Sequence, residues 1–312
     1  MSKKITVGLA LGSGAARGWA HIGIIQRLHQ LGIQPDIVCG TSIGALVGAA
    51  YTAGNIDKLE SWVRQLDKLQ TARYFSINSS FKGFVNKERL RTFLDEHVVA
   101  TETMIEDMDK PFASVATDLH TGREIWNTSG SMMDAVWSSI SLPGLFPAIK
   151  HHNRWLIDGG LVNPVPVSVC RALGADVVIA VNLNSDIVGK HLQLDNAIKQ
   201  SEAQSSNEPA GITGRISNMI ADYTTNLFTK KNTEDTAPDL LDAIAASINI
   251  TQDRITRSRM AGDPPEITLS PRLSSIGLLE FYRAKEAIEE GTASVDRHKR
   301  DFKYCLGVDL DD

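Results

Sequence analysis

Short apolar segments alternate with apolar helical patterns near the start of the chain, and this alternation constrains the fold more than any other feature. Residues 5–11 and 37–39 are short apolar runs of the kind that form buried strands. Residues 16–31 and 42–53 have the apolar periodicity of buried helices, and each ends at a glycine. The order strand, helix, strand, helix predicts an α/β fold of three layers, α/β/α, around a mainly parallel central sheet.

Later segments continue this pattern until the composition becomes polar near Asn184. We therefore expect a core at 1–183, a variable and partly helical insertion or cap at 184–262, and a strand and helix that return to the core at 263–312. The other predicted strands are 112–117, 124–127, 155–157, 177–181 and 267–269; the other predicted helices are 57–69, 87–98, 167–173, 214–229, 237–260 and 278–290.

Composition and charge narrow the classes of function. Hydrophobic residues make up 42% and charged residues 22%, as in ordinary globular proteins, and the net charge of −5 disfavours nucleic acid as a partner. The three cysteines lack CxxC spacing, which predicts free thiols and no zinc site. No apolar run reaches the ~18 residues of a membrane span, and the run after Lys3 and Lys4 ends too early for an export signal. We expect a cytoplasmic location, with peripheral membrane contact left open.

The pentapeptide Gly40-Thr41-Ser42-Ile43-Gly44 is a G-x-S-x-G sequence between a predicted strand and a predicted helix. A serine on such a sharp turn is exposed as a nucleophile, and Gly40 and Gly44 let the backbone bend around it. The N-terminus of the following helix favours negative charge at Ser42. The simpler alternative is that Thr41 or Ser42 only caps the helix.

A glycine-rich loop, Gly12-Ser13-Gly14-Ala15-Ala16-Arg17-Gly18, follows the first predicted strand. Its unpaired backbone N–H groups are suited to stabilising an oxyanion during acyl transfer. A dinucleotide-binding loop is disfavoured because Arg17 stands where the third glycine belongs, and because no acidic residue ends the second strand. A P-loop is disfavoured because Gly18-Trp19 replaces its Gly-Lys-Ser/Thr.

The third motif is Asp158-Gly159-Gly160, directly after the apolar run 155–157. A carboxylate at the end of a parallel strand lies at the same sheet edge as the loops after the first two strands, so we expect Asp158 near Ser42. Gly159 and Gly160 allow close backbone approach. A plain Asp-Gly turn is the simpler alternative.

The histidines do not complete a Ser-His-Asp triad. In α/β-hydrolase order the histidine follows the acid, and only His191 and His298 follow Asp158. His191 lies in the polar stretch and His298 at a charged helix end, while His21 is expected to be structural or to line a pocket. The simplest scheme is a dyad in which Asp158 accepts the Ser42 proton directly, with a pKa raised by desolvation.

These three motifs in this order resemble the patatin-like phospholipase family over about residues 6–183 and again at 263–290. The resemblance implies Ser42 as nucleophile and Asp158 as base, without histidine. It also implies an acyl pocket near Ser141-Leu142-Pro143-Gly144-Leu145-Phe146-Pro147. The implied oxyanion loop comprises Gly12, Gly14, Ala15 and Arg17, and the motif glycines are Gly40, Gly44, Gly159 and Gly160.

The glycine-rich loop departs from the family at two places. Bacterial relatives commonly have glycines where this chain has Ser13 and Ala15. If the loop needs a positive φ at residue 15, alanine is strained there by ~1 kcal/mol or more. Arg17 either helps to hold an anionic head group or braces the loop.

The function implied by the resemblance is a serine-dependent acyl-ester hydrolase of the phospholipase A, lysophospholipase or esterase type. It needs no metal and no cofactor, and its partner is a lipid or another acyl ester, with transient contact to a membrane surface. Two alternatives use the same scaffold: a regulatory or interaction protein with a slow site, and an acyl thioesterase.

Overall fold

The computed structural model describes residues 4–75, 87–151, 153–188 and 240–308. The strands are β1 (Val7–Leu11), β2 (Ile37–Thr41), β3 (Phe112–Asp118), β4 (Glu124–Asn127), β5 (Ile149–His151), β6 (Arg154–Asp158), β7 (Val177–Val181) and β8 (Ile267–Leu269). The α-helices are α1 (Ala20–Gln30), α2 (Ile43–Thr52), α3 (Ile56–Val63), α4 (Lys68–Phe75), α5 (Lys87–His97), α6 (Met132–Ile140), α7 (Val167–Ala172), α8 (Ser185–Val188), α9 (Leu240–Gly262), α10 (Ala284–Asp296) and α11 (Lys299–Leu306).

The eight described strands form one sheet in which successive pairings run β5-β6-β3-β2-β1-β7-β8, and β4 also pairs with β3. Strand β3 therefore has three partners, two of which share one of its edges. The run from β3 to β8 is parallel, and β4, β5 and β6 add antiparallel pairs at one end. The prediction of an α/β fold with a mainly parallel central sheet is confirmed.

Side chains alternate between the two faces of the sheet, and each face has its own hydrophobic cluster. Leu9 and Leu11 of β1 join the larger cluster with apolar residues of α1, α2, α6 and α10. Ala10, between them, joins the smaller cluster, where α7 contributes Val169 and Cys170. Both faces of the parallel part are therefore covered by helices, which explains why its strands are apolar without a polar alternation.

The strand that carries Asp158 runs antiparallel to β3, so the expectation of a parallel strand there is wrong. At Val115 and Ala116 one edge of β3 is occupied by β4. On the other edge β2 pairs with β3 as far as Val115, and β6 pairs with it from Ala116 onward. The C-terminal ends of β2 and β6 thus meet head to head, which brings the two motifs together from opposite directions.

Some helix boundaries differ from the sequence-based expectations for local reasons. The first predicted helix begins as a 3₁₀ turn, Ala15–Trp19, before α1. Residues 57–69 form two helices, because the Asp67 carboxylate accepts the Gln70 N–H and starts α4. The last long predicted helix begins only at Ala284, because the Glu280 carboxylate accepts the Gly277 N–H and holds the preceding turn.

Helix α6 has no counterpart among the predicted helices; its N-cap is Ser131, whose hydroxyl accepts the Asp134 N–H. The predicted helix at 214–229 and most of the variable region at 184–262 lie outside the described residues. Strand β8 pairs in parallel with β7, and α10 packs on α1.

Within the described ranges, none of the helices combines the length and apolar character needed to cross a membrane. The cytoplasmic location stays a prediction.

Candidate active site

Ser42 lies on a strained turn between β2 and α2. Its backbone has φ 58° and ψ −125°, a conformation that costs a non-glycine residue energy and that clusters at functional sites. A Cβ on Gly40 would lie 2.4 Å from the Ala45 nitrogen, and one on Gly44 would lie 2.1 Å from the Leu11 carbonyl oxygen. The two motif glycines therefore serve close packing. The Ser42 side chain makes no capping hydrogen bond to α2, and the Thr41 hydroxyl donates to the Asn163 carbonyl instead, so neither residue caps the helix through its side chain.

The side chains of Ser42 and Asp158 are in direct contact. The Ser42 hydroxyl donates a hydrogen bond to Asp158 Oδ2 at 2.5 Å. The Gly160 N–H donates to the other carboxylate oxygen, Oδ1, at 2.7 Å, so that the Asp158 carboxylate is held from both sides. The backbone of Asp158 is fixed as well: its N–H donates to the Ser141 carbonyl, and its carbonyl accepts the Thr117 hydroxyl. A carboxylate aimed in this way can accept a proton from Ser42.

Burial sets the acidity of Asp158. Its side chain is fully inaccessible to solvent, and desolvation raises its pKa to about 6, against the opposing effect of the hydrogen bonds from Ser42 and Gly160. A carboxylate with this pKa is ionised at neutral pH yet basic enough for general-base work. Among the described residues, no histidine hydrogen-bonds to Ser42 or Asp158. His298 contacts the Ser294 carbonyl at the start of α11, and His191 lies outside the described ranges.

The N–H of Ser42 is held by a serine that the sequence motifs did not indicate. Ser139, on α6, is fully buried, and its hydroxyl accepts the Ser42 N–H at 2.8 Å while donating to the Val115 carbonyl at 2.6 Å. It therefore ties the strained turn to β3. No short-range pattern marks Ser139, because its partners lie 97 and 24 residues away.

We expect Ser139→Ala to lower kcat about tenfold and to destabilise the fold by about 1–3 kcal/mol, because it removes the hydrogen bonds that its hydroxyl makes with the Ser42 N–H and the Val115 carbonyl. Steady-state kinetics and urea unfolding measure the two effects. Ser138→Ala is the matched control: its hydroxyl is also buried but contacts Ala135 and Asn127, away from the turn. Equal losses of kcat in both variants would contradict a specific role for Ser139.

The glycine-rich loop has two backbone donors without a partner among the described residues, and one of them belongs to Ala15, which lines the same pocket as Ser42. The Gly12 N–H donates to the Val181 carbonyl and the Ser13 N–H to the Pro164 carbonyl. The N–H groups of Gly14 and Ala15 make no hydrogen bond within the described part of the chain. Gly12 therefore offers no free donor, and neither does Arg17, whose N–H donates to the Gly14 carbonyl. Of the predicted oxyanion set, Gly14 and Ala15 keep a free N–H.

Ala15 adopts φ 48°, so the condition under which alanine is strained is met. Two buried side chains brace the loop. The ring Nε2 of His21 lies 2.8 Å from the Gly12 carbonyl, and burial lowers the pKa of His21 to about 4, so its neutral ring donates there. Arg17 is buried, donates to the Gly14 carbonyl and, at 2.7 Å, to Asn249 Oδ1. These contacts favour bracing over head-group binding for Arg17.

A narrow apolar pocket opens beside Ser42, with a cavity of about 40 Å³. The segment predicted to lie near an acyl pocket contributes Leu142, Leu145 and Phe146 to it. The other apolar lining residues are Ala15, Trp19, Ile43, Leu46, Leu90, Phe93, Ile140 and Phe281. Within the described residues, no cluster of three or more His, Cys, Asp or Glu side chains is arranged to hold a metal ion.

Comparison with known proteins gives matches over most of the chain. The family model described as patatin-like phospholipase matches residues 9–171. An uncharacterized NTE family protein of Mycobacterium tuberculosis (strain ATCC 25618 / H37Rv) is 28% identical over 331 residues, which cover 92% of this chain and 89% of that protein.

Two longer relatives are also similar. Lysophospholipase NTE1 of Pyricularia oryzae is 29% identical over 302 residues, covering 92% of this chain and 18% of that protein. Neuropathy target esterase sws of Drosophila melanogaster is 35% identical over 190 residues, covering 58% of this chain and 13% of that protein. The chain thus spans less than a fifth of the length of these two proteins.

Proposed function

The chain belongs to the patatin-like phospholipase family, and from this premise we propose that it is a lipid acyl hydrolase that uses a Ser42–Asp158 dyad. The observation that carries the proposal is the 2.5 Å hydrogen bond from the Ser42 hydroxyl to Asp158 Oδ2. It joins a strained, partly exposed serine to a buried carboxylate whose pKa is raised to about 6. Nucleophile and base are within hydrogen-bond reach, which is the geometry that covalent catalysis needs.

In the acylation step Ser42 Oγ attacks the ester carbonyl carbon while Asp158 Oδ2 takes its proton. Because the Gly160 N–H occupies Oδ1, Oδ2 is the oxygen left to accept that proton. The N–H groups of Gly14 and Ala15 stabilise the negative charge that develops on the carbonyl oxygen. As the tetrahedral intermediate collapses, the bond to the leaving alcohol breaks and Asp158 returns the proton to the alcohol oxygen.

In the deacylation step water attacks the acyl group on Ser42. Asp158 accepts a proton from that water, and the second collapse breaks the bond to Ser42 Oγ, which recovers its proton from Asp158. The products are a fatty acid and the free enzyme. No metal or cofactor enters this scheme, and the low pKa of His21 together with its contact to Gly12 keeps that ring in a structural role.

The apolar pocket supports a lipid acyl chain as the group next to Ser42. Its lining is apolar apart from Ser42 itself, so it suits the hydrocarbon part of an ester and leaves a polar head group outside. The names of the relatives, a lysophospholipase and an esterase, support the same substrate class. We therefore propose that the preferred substrates carry a single acyl chain in the whole molecule, as a lysophospholipid does.

A substrate series tests this proposal. We expect kcat/KM for p-nitrophenyl esters to rise from acetate to laurate as longer chains contact more of the apolar lining beside Ser42, and lysophosphatidylcholine to release fatty acid. Cleavage of lauroyl-CoA without cleavage of the oxygen esters would instead support a thioesterase. A folded wild-type protein that turns over none of these compounds would support a regulatory protein with a slow site.

The pH dependence follows from the pKa of Asp158. The base must be ionised, so activity is lost as pH falls through its folded-state pKa of about 6. We expect kcat/KM to have an acid limb near pH 6 and to be about tenfold below its plateau at pH 5. Unfolding measured at pH 5 serves as the control for acid denaturation. A limb near pH 4, or none above that pH, would contradict Asp158 as the base.

A further inference from the structure

Helix α9 presents a buried polar side chain to the loops of the active site. Gln252 is 4% exposed, although its neighbours Thr251 and Arg254 on the same helix face solvent. The amide of a buried glutamine must form hydrogen bonds within the protein, because these offset the free-energy cost of removing it from water. Its partners therefore indicate what the residue does.

The carbonyl oxygen of Gln252 accepts two hydrogen bonds. The Ser13 hydroxyl donates at 3.0 Å and the Asn184 side-chain amide at 3.1 Å. Both donors are buried, and the Asn184 amide also lies 3.4 Å from the Ser13 carbonyl. Ser13 directly precedes Gly14, the first free donor of the glycine-rich loop, so these bonds fix the backbone next to the two free N–H groups.

The amide nitrogen of Gln252 reaches the turn that holds the carboxylate. A Cβ built on Gly160 would lie 2.4 Å from Gln252 Nε2 and 2.9 Å from Asp158 Oδ1. The Gln252 amide therefore lies within about 5 Å of that carboxylate oxygen, packed against the residue that donates to it. One side chain thus contacts the oxyanion loop at one end and the Asp-Gly-Gly turn at the other.

We propose that Gln252 is a positioning residue for hydrolysis, which aligns the free N–H groups of Gly14 and Ala15 with the Ser42–Asp158 pair. The inference rests on the proposed function of that pair. Through Ser13, Gln252 sets where the oxyanion is held, and through Gly160 it supports the orientation of the Asp158 carboxylate. It touches no reacting atom, so its removal acts on the transition state more than on substrate binding.

The test is the variant Gln252→Met, which keeps the shape and volume of the side chain but removes its acceptor. We expect kcat to fall 10- to 100-fold with KM changed less than threefold, because oxyanion donors act in the transition state. Ser13→Ala removes the other end of the same hydrogen bond and is expected to lower kcat in the same way. The double variant is expected to have a kcat no lower than that of Gln252→Met alone, because both substitutions remove the same Ser13–Gln252 hydrogen bond.

Thr251→Ala, an exposed neighbour on α9, is the matched control and should leave kcat within twofold of wild type. If Gln252→Met fails to fold, the kcat of Ser13→Ala tests the inference by itself, because that variant loses only one hydroxyl group. The inference would be overturned, and the proposed function left intact, if the wild type hydrolyses esters and a folded Gln252→Met or Ser13→Ala variant has a kcat within twofold of the wild-type value. Additive losses in the double variant would also overturn it. A wild type without any hydrolysis would instead remove the proposed function.

Discussion

Replacing Asp158 with asparagine is expected to lower kcat by about 10³- to 10⁴-fold and, at pH 8, to make the folded protein more stable. The loss of activity follows because an amide accepts no proton from Ser42. Even in a Ser-His-Asp triad, where the aspartate only orients the base, its removal costs about 10⁴-fold. The gain in stability follows because the buried carboxylate is ionised at pH 8 at the expense of the fold. Opposite changes in activity and stability from one substitution distinguish a catalytic from a structural carboxylate.

The sign and size of the stability change come from the two pKa values of Asp158. The folded-state pKa is about 6 and the reference value is 3.8. Below pH 4 the carboxyl group is protonated in both states and contributes nothing. Between pH 4 and 6 the unfolded state ionises first, so stability falls, and above pH 6 the cost levels off at about 3 kcal/mol. Asparagine avoids this cost, because its Oδ1 accepts the Gly160 N–H and its amide donates to Ser42.

Urea unfolding at pH 8 and pH 4 measures the effect, and the gain of Asp158→Asn should disappear at pH 4. Asp118, on the neighbouring β3 and also buried, is the matched control. Its pKa is lowered by hydrogen bonds from His120 and Thr121, against the effect of desolvation, so Asp118→Asn should lose stability at pH 8. An Asp158→Asn protein that keeps a tenth of the activity, or that is less stable than wild type at pH 8, would refute the assignment.

Ser42→Ala is expected to lower kcat by about 10⁴-fold or more without unfolding the protein. The hydroxyl is the proposed nucleophile, and loss of a nucleophilic serine in comparable hydrolases removes nearly all turnover. The change also removes the hydrogen bond that lowers the pKa of Asp158, so that pKa should rise further and stability at pH 8 should fall.

Ester hydrolysis and urea unfolding measure these effects, and Ser141→Ala is the control. The Ser141 hydroxyl donates to the Trp137 carbonyl, whereas its contact with Asp158 uses the backbone carbonyl and survives the change. We expect Ser141→Ala to keep kcat within a few-fold of wild type. Retention of more than a hundredth of wild-type activity by Ser42→Ala would exclude Ser42 as the nucleophile.

The sequence was informative where a function depends on neighbouring residues. Ser42 and Asp158 each follow a short apolar strand and are flanked by glycines, so their motifs could be read locally. The direction of β6 could not be read in this way, because an apolar run has the same pattern in a parallel and an antiparallel strand. The two residues therefore meet as expected, but by the head-to-head approach of β2 and β6 rather than side by side.

The residues that hold the site were hidden for a related reason. Ser139 lies on a helix that the sequence did not predict and Gln252 lies between other polar residues of α9, and their partners are 97 and 239 residues away in the chain. Nothing close in sequence marks such contacts. The Ser13–Gln252 hydrogen bond also gives a physical meaning to Ser13, since a glycine at this position would lack the hydroxyl that donates to Gln252.

Covalent labelling with a fluorophosphonate tests the central claim most directly, because the probe phosphonylates an activated serine. Intact-mass measurement followed by peptide mapping identifies the modified residue. We predict one adduct on wild type, located at Ser42, none on Ser42→Ala, and formation at least 100-fold slower on Asp158→Asn. A wild-type protein that hydrolyses lipid esters but carries no adduct at Ser42, or carries it on another residue, would contradict the Ser42–Asp158 dyad.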